Sequence, residues 1–378
     1  MTRGRWASLR AVRRTIAIIA LLLGGALPAA RAAAPPDVTF PSYVIADGRD
    51  GRILAEQKAD APRAIASITK MMTAYLALEA GALDETYTVP VAATTIGEST
   101  AGLRAGRRVS GRDLLEGLMV PSANDAAETL AIGIAGSEEA FVRRMNRTAK
   151  QLGMTDTVYR APYGLDAEGQ HSTAADQLIL ARELMKNPRL RPIVRLRSAV
   201  IDGLRLAAAN TMLGVYAGAD GVKTGHTNDA GWCLAASARR GGHRIYVVGL
   251  GAADQATRDR DIARLLDWGF TQLQPVVAVR SGTVGGRLAL PYGGTVDARV
   301  AKTLRLTIRP GEQVRLRYRL ASAEPPLAQG QQIGQVEVLV GDTVAAKTAL
   351  VAARDVAAPG IVDRLSYMAG HMLDPFGL

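Results

Sequence analysis

Ala66-Ser67-Ile68-Thr69-Lys70-Met71-Met72-Thr73 joins a serine, a lysine three residues on and the start of an apolar run. Met71, Met72, Tyr75, Leu76 and Leu78 fall on helical spacing, so the segment predicts a helix with Ser67 at or near its N-terminus. Backbone N–H groups and the helix dipole favour developing negative charge at that end. Lys70 lies one turn from Ser67, so the two side chains share a face. Taken alone, Ser67 reads more readily as an N-cap. The composition favours chemistry: the chain carries 39 Arg and only 7 Lys. Arginine cannot release its proton at a useful pH, whereas burial and neighbouring charge can tune lysine.

Two more patterns follow in order, Ser122-Ala123-Asn124 and Lys223-Thr224-Gly225. Each alone is weak, reading also as a turn after Pro121 or as the exposed start of a strand. With 13 Ser and 7 Lys in 378 residues, even S-x-x-K arises by accident roughly 0.2 times. All three occurring once each, in this order, is a far stronger signal. Together they are the parts of a serine enzyme whose base is lysine. A serine hydroxyl needs a base to take its proton, and Lys70 can serve if desolvation and a second cation, Lys223, depress its pKa.

The set S-x-x-K, S-x-N and K-T-G resembles that of penicillin-binding proteins and serine β-lactamases. Flanking text narrows the resemblance to low-molecular-mass D-alanyl-D-alanine carboxypeptidases. It is carried by Ala66–Thr73, Asn124-Asp125-Ala126-Ala127, Gly169-Gln170-His171-Ser172 and Lys223-Thr224-Gly225-His226-Thr227. It is strong over residues 38–274 and looser beyond, and Ala123 stands where many relatives carry Gly. The resemblance implies a mixed α/β fold, a β-lactamase/transpeptidase-like catalytic domain. It implies acyl transfer from a peptidoglycan stem peptide ending in D-Ala-D-Ala, through an acyl-enzyme on Ser67. In that chemistry Ser122 relays the proton to the departing D-alanine and Asn124 orients Lys70 and the donor peptide. Lys223 and Thr224 bind the terminal carboxylate, and Gly225 allows close approach of substrate to the strand edge. The backbone N–H groups of Ser67 and His226 form the oxyanion hole. β-Lactam antibiotics are expected to enter by the same route and stall.

Residues 1–32 read as a secretory signal: a basic start, an apolar run from Ile16 to Leu27, and Ala30-Arg31-Ala32. Twelve apolar residues are too few to span a bilayer. Arg13-Arg14 also permits a twin-arginine route. Removing the six Arg of this segment lowers the formal charge from +11 to +5. Nucleic-acid binding thereby loses its main support, and the expected location is the periplasm. Cys233 is the only cysteine, so no intrachain disulfide can form, and it reads as a small buried hydrophobe.

Organisation follows from texture. Residues 33–274 predict the catalytic domain, with strands near both ends and helices between. Ser42–Ala46 and Arg52–Leu54 read as a hairpin. Helices are predicted over 112–119, 125–134, 138–152, 173–186 and 254–273, and Lys223 is predicted to begin a strand running on through Trp232–Ser237. Residues 275–357 predict an all-β domain, since Val314–Leu320 alternates strictly. Eleven basic and six acidic residues there hold nearly all the mature excess charge. In the tail, 358–378, Ile361, Leu365, Met368 and Met372 recur at helical spacing, the pattern of an amphipathic helix that lies on a membrane surface or docks on its own β domain.

No His-x-x-x-His, paired cysteine or carboxylate cluster points to a metal, and no cofactor is expected. His226 directly follows the strand-edge glycine, where its N–H is the useful part, so a histidine base is disfavoured. A class A β-lactamase deacylates with a glutamate in an E-x-x-x-N pattern, and nothing convincing of that kind occurs between 124 and 223. Open alternatives are a D,D-endopeptidase cutting cross-links and a non-catalytic, membrane-attached wall scaffold.

Overall fold

The computed structural model describes residues 34–372. The expected signal, 1–32, and the last residues of the tail lie outside them. The chain divides into a compact unit over Ala33–Gln272 and another starting at Leu273.

The first unit enters through β1 (Ser42–Asp47) and turns into β2 (Ile53–Gln57). A single 3-10 turn, Ala66–Thr69, then runs into α1 (Lys70–Glu79). A small strand pair, β3 (Thr86–Thr88) with β4 (Arg108–Ser110), precedes α2 (Gly111–Met119), α3 (Asn124–Ala135) and α4 (Glu138–Gln151). Next come α5 (Ala174–Leu184), the short α6 (Arg191–Val194) and the hairpin β5 (Ser198–Ile201) to β6 (Leu204–Ala207). The unit closes with β7 (Ala219–Thr227), β8 (Gly231–Arg240), β9 (His243–Ala252) and α7 (Gln255–Thr271).

β1 and β2 join β7–β9 in one antiparallel sheet, ordered β2-β1-β9-β8-β7. Ser42 pairs with Leu250 and Asp47 with Ile245, so the two ends of the unit are sewn together directly. All six residues of β1 are buried, as are Ile245–Leu250 of β9. A sheet covered on both faces needs no polar alternation, which is why these strands read as continuous apolar runs. α7 covers one face. Its Gly269 sits where a Cβ would come within 2.9 Å of Ile245 and 3.3 Å of Ile45. The Asp254 carboxylate caps α7 by accepting from the Thr257 N–H at 2.8 Å. Across the helical half, α1 is the central element: Lys70–Ala74, Leu76 and Ala77 are all buried, and α2, α3, α4 and α5 pack around it. A helix buried on every side shows apolar residues around most of its circumference.

The structure corrects one strand prediction. Lys223 does not open a strand that runs on through Trp232. It sits in the middle of β7, which starts at Ala219, and β8 is a separate strand that turns back from Gly231 to pair with it. Asn228–Ala230 supply the turn that a continuous reading overlooks.

The second unit is antiparallel β: β10 (Gln274–Val279), β11 (Val284–Ala289), β12 (Thr295–Val300), β13 (Leu304–Ile308), β14 (Val314–Leu320), β15 (Gln332–Val340) and β16 (Thr343–Ala352). Five strands form a sheet ordered β11-β12-β16-β15-β14, and β10 pairs with β13. Val296, Ala298, Tyr318, Val336, Val338 and Leu350 fill its core. The tail forms α8 (Ile361–Met372). Ile361 is 79% exposed and Leu365 57%, while the Tyr367 ring lies 5.0 Å from that of Tyr292. Among the described residues no helix is long and apolar enough to cross a membrane.

Candidate active site

Three chain segments meet at the top of α1. The 3-10 turn holds Ser67, and α1 starts at Lys70 rather than at the serine. One turn still separates the pair, and Lys70 Nζ donates to Ser67 Oγ at 2.7 Å. The same amine donates to the Tyr163 carbonyl at 2.7 Å. The Pro162 carbonyl in turn accepts from the Thr73 hydroxyl at 2.5 Å, which pins that loop onto α1.

Ser122 precedes α3 with φ at +72°, and Ala66 beside the nucleophile turn has φ at +48°. Both are left-handed positions that non-glycine residues adopt at a cost. Ser122 Oγ accepts from Lys223 Nζ at 2.8 Å, and Lys223 also donates to the Thr224 carbonyl at 2.8 Å. Two lysine–serine pairs therefore stand together, with both amines almost wholly buried. Burial, then the field of Lys223, holds Lys70 well below the ordinary amine range, against the opposing pull of Glu98 and Asp125. Burial, then the charge of Arg258, brings Lys223 down to about 7.

Asn124 opens α3. Its Nδ2 donates to the Gly97 carbonyl at 2.9 Å, while its buried Oδ1 has no protein partner. The Asp125 carboxylate accepts from the N–H groups of Ala101 and Leu103, fastening the 97–103 loop to the first turn of α3. Thr224 is buried and His226 exposed, both on β7, the edge strand of the sheet. His226 stacks on Trp232 with ring centroids 4.1 Å apart, so its imidazole is engaged away from the lysine–serine pairs. His171 lies in an isolated bridge with Val158, and Ser172 bridges Arg63. That stretch braces the fold beside the site.

Gly225 lies against the nucleophile turn. A Cβ there would meet Ile65 O at 2.8 Å, Ile68 N at 3.0 Å and Ser67 N at 3.1 Å. The missing side chain lets β7 lie against the protein's own nucleophile turn, a close approach internal to the protein.

Sequence reading missed two charged groups here. Arg258 on α7 is 1% exposed, lies 5.5 Å over the Trp232 ring and donates to the Thr211 hydroxyl at 3.0 Å. Nothing in its local sequence separates it from 38 other arginines. Glu128 follows Asn124 by one helical turn in α3; it is 2% exposed and Oε2 has no protein partner. Burial, aided by Glu138 and Glu139, pushes its carboxyl up to about 7. A lone Glu amid Ala126, Ala127, Leu130 and Ala131 was the visible signal. Among the described residues no cluster of His, Cys, Asp or Glu is arranged to hold a metal.

A mixed α/β unit with a buried Lys–Ser pair beside a second Lys–Ser pair defines the penicillin-binding and serine β-lactamase class. Residues 29–254 match the family described as D-alanyl-D-alanine carboxypeptidase, and residues 292–358 match the C-terminal domain of penicillin-binding protein 5. The D-alanyl-D-alanine carboxypeptidase DacA of Escherichia coli K12 is 33% identical over 329 residues, 82% of each chain. The solved structure of penicillin binding protein 6B from Escherichia coli is 31% identical with a TM-score of 0.65, covering 87% of this chain and 99% of that one. Penicillin binding protein 5 from Haemophilus influenzae is similar at 30% identity and a TM-score of 0.64, covering 86% and 99%. The chain belongs to the D-alanyl-D-alanine carboxypeptidase family, serine-type peptide hydrolases among the low-molecular-mass penicillin-binding proteins.

Proposed function

We propose that this enzyme removes the terminal D-alanine from peptidoglycan stem pentapeptides through an acyl-enzyme on Ser67. The observation that carries this reading is the 2.7 Å contact between Ser67 Oγ and a buried, pKa-depressed Lys70 amine. Neutral Lys70 takes the Ser67 proton as Oγ attacks the scissile carbonyl. The backbone N–H groups of Ser67 and His226 receive the oxyanion; one such donor contributes about 2.7–4 kcal/mol in comparable enzymes. Ser122, hydrogen-bonded to Lys223, returns a proton to the departing D-alanine nitrogen. Asn124 offers its open Oδ1 to Lys70 or to the donor peptide. Thr224 and the positive field of Lys223 and Arg258 hold the terminal carboxylate, which selects a free chain end. Water then hydrolyses the acyl-enzyme. A β-lactam acylates Ser67 by the same route, and its tethered leaving group hinders deacylation.

The domain reading places a signal over 1–32, catalysis in 33–274 and an accessory β domain in 275–357. The exported enzyme then works in the periplasm, with the apolar face of α8 resting on the membrane surface. Exposure of Ile361, Val362, Leu365 and Met368 supports that attachment.

The test is D-alanine release from a pentapeptide ending in D-Ala-D-Ala, with Ser67→Ala alongside. Release by the parent alone is expected. Penicillin labelling without release would move the assignment to a D,D-endopeptidase, and silence in both assays to a non-catalytic scaffold.

A further inference from the structure

The catalytic unit carries a second concave site, lined by Arg191 and Arg195 around α6, Arg239 on β8 and Arg244 on β9. Gly218, Asp220, Gly241 and Gly242 complete a cleft of about 720 Å³. That volume lies in the range of small-ligand sites, about 300–1,000 Å³. Its one acid, Asp220, is already spent: Arg244 reaches its two carboxylate oxygens at 2.9 and 2.6 Å, and Ser237 donates to it at 2.6 Å. Among the described residues, the guanidinium groups of Arg191, Arg195 and Arg239 have no acidic partner.

Some surface arginines of the unit are matched, as in Arg107–Asp202, Arg189–Asp84 and Arg240–Asp267. Here like charges are instead placed in register. Arg239 stands directly opposite Arg244 across the β8–β9 ladder, an arrangement that costs stability. Arg191 and Arg195 are four residues apart through α6 and its cap, again repulsive. The Arg191–Arg195 pair and Arg239, facing one hollow, are relieved by a concentrated anion.

We propose that this cleft binds a phosphorylated ligand carrying at least two negative charges, a diphosphate or its ester. Planar guanidinium forks match phosphate oxygens two at a time. Diphosphate concentrates its charge within a few bonds, as three uncompensated arginines require, and the remaining volume accommodates an esterified group. The cleft is separate from the acylation site: Ala219 lines it while Gly225 backs Ser67, about 20 Å apart along β7. The proposal stands independently of the reaction assigned to Ser67.

Calorimetric titration of the full chain with inorganic diphosphate at fixed ionic strength tests it. The parent binds. An Arg191→Gln/Arg195→Gln/Arg239→Gln variant loses about tenfold or more in affinity, the scale of one lost charge-assisted contact. An Arg143→Gln/Arg144→Gln/Arg147→Gln variant on α4, with the same change in net charge, retains it. Thermal midpoints no lower than the parent's establish that both variants fold. Vesicles doped with a lipid ester of diphosphate form a second arm, read as competition with inorganic diphosphate for the cleft, so that attachment through α8 does not enter. Competition identifies a lipid headgroup as the source; diphosphate binding without competition identifies a soluble ester. No diphosphate binding by the parent, or equal losses in the two variants, overturns the proposal.

Discussion

Lys223 Nζ stands 2.8 Å from Ser122 Oγ, joining residues 101 apart in sequence. The pair repeats, across the site, the relation of Lys70 to Ser67. Each amine is buried and each hydroxyl is held on the far side of a strained turn. Neither lysine can be exchanged for a permanent cation without changing the chemistry, and that gives the first test.

Lys70→Arg makes the charge permanent and removes the proton acceptor. Acylation by a penicillin is expected to fall by about 10²–10⁴, the usual worth of a positioned base. In the parent, the acylation rate rises with pH as Lys70 loses its proton. The variant shows no such rise, and stopped-flow labelling between pH 5 and 9 reads both.

Gly225→Ala drives a methyl group into the backbone of Ile65, Ser67 and Ile68. Overpacking against backbone costs roughly 1–3 kcal/mol, and here the displaced atoms carry the nucleophile. Both the unfolding midpoint and the labelling rate should fall, whereas Gly241→Ala, with open space around it, should leave labelling intact.

Glu128→Gln separates charge from shape. The folded protein raises the Glu128 carboxyl from 4.5 to about 7, so the folded state favours the proton. Stability is therefore full below about pH 4.5, declines as pH rises towards 7, and stays lowered above. The neutral variant lacks that decline. It should be more stable than the parent at pH 8 by roughly 1–3 kcal/mol and indistinguishable at pH 4, as read by denaturant melts.

Deleting residues 358–378 removes the apolar face of α8. D-Alanine release from a soluble peptide should persist, while co-sedimentation with phospholipid vesicles should be lost. Retained co-sedimentation would place the membrane contact elsewhere.

How far the sequence reached depends on what each feature needed. Ser67 with Lys70, and Ser122 with Asn124, were legible because each small group is local and its spacing is set by one turn. The antiparallel sheet was legible as apolar runs at both ends of the unit. Arg258 and Glu128 were not picked out, because their significance lies in burial beside residues far along the chain, Lys223 and Trp232 for Arg258 and Glu138 and Glu139 for Glu128, in packing that no local pattern declares. Gly225 was noticed without its internal neighbour: a glycine signals close approach without naming what approaches, and the structure sets the turn bearing Ser67 against it. Lys223 was found while its place in the strand was not, since a hairpin of two buried strands gives one long apolar signal with only Asn228–Ala230 to break it.

The pairing of Ser42 with Leu250 also has a temporal meaning. During synthesis the turn bearing Ser67 emerges early, yet β7 and its hairpin partners arrive some 150 residues later. Contacts of such separation form late because the intervening loop must close first. The nascent chain thus carries its nucleophile through some 150 residues of elongation without the strand that completes the site, and it gains hydrolytic competence only as the unit closes.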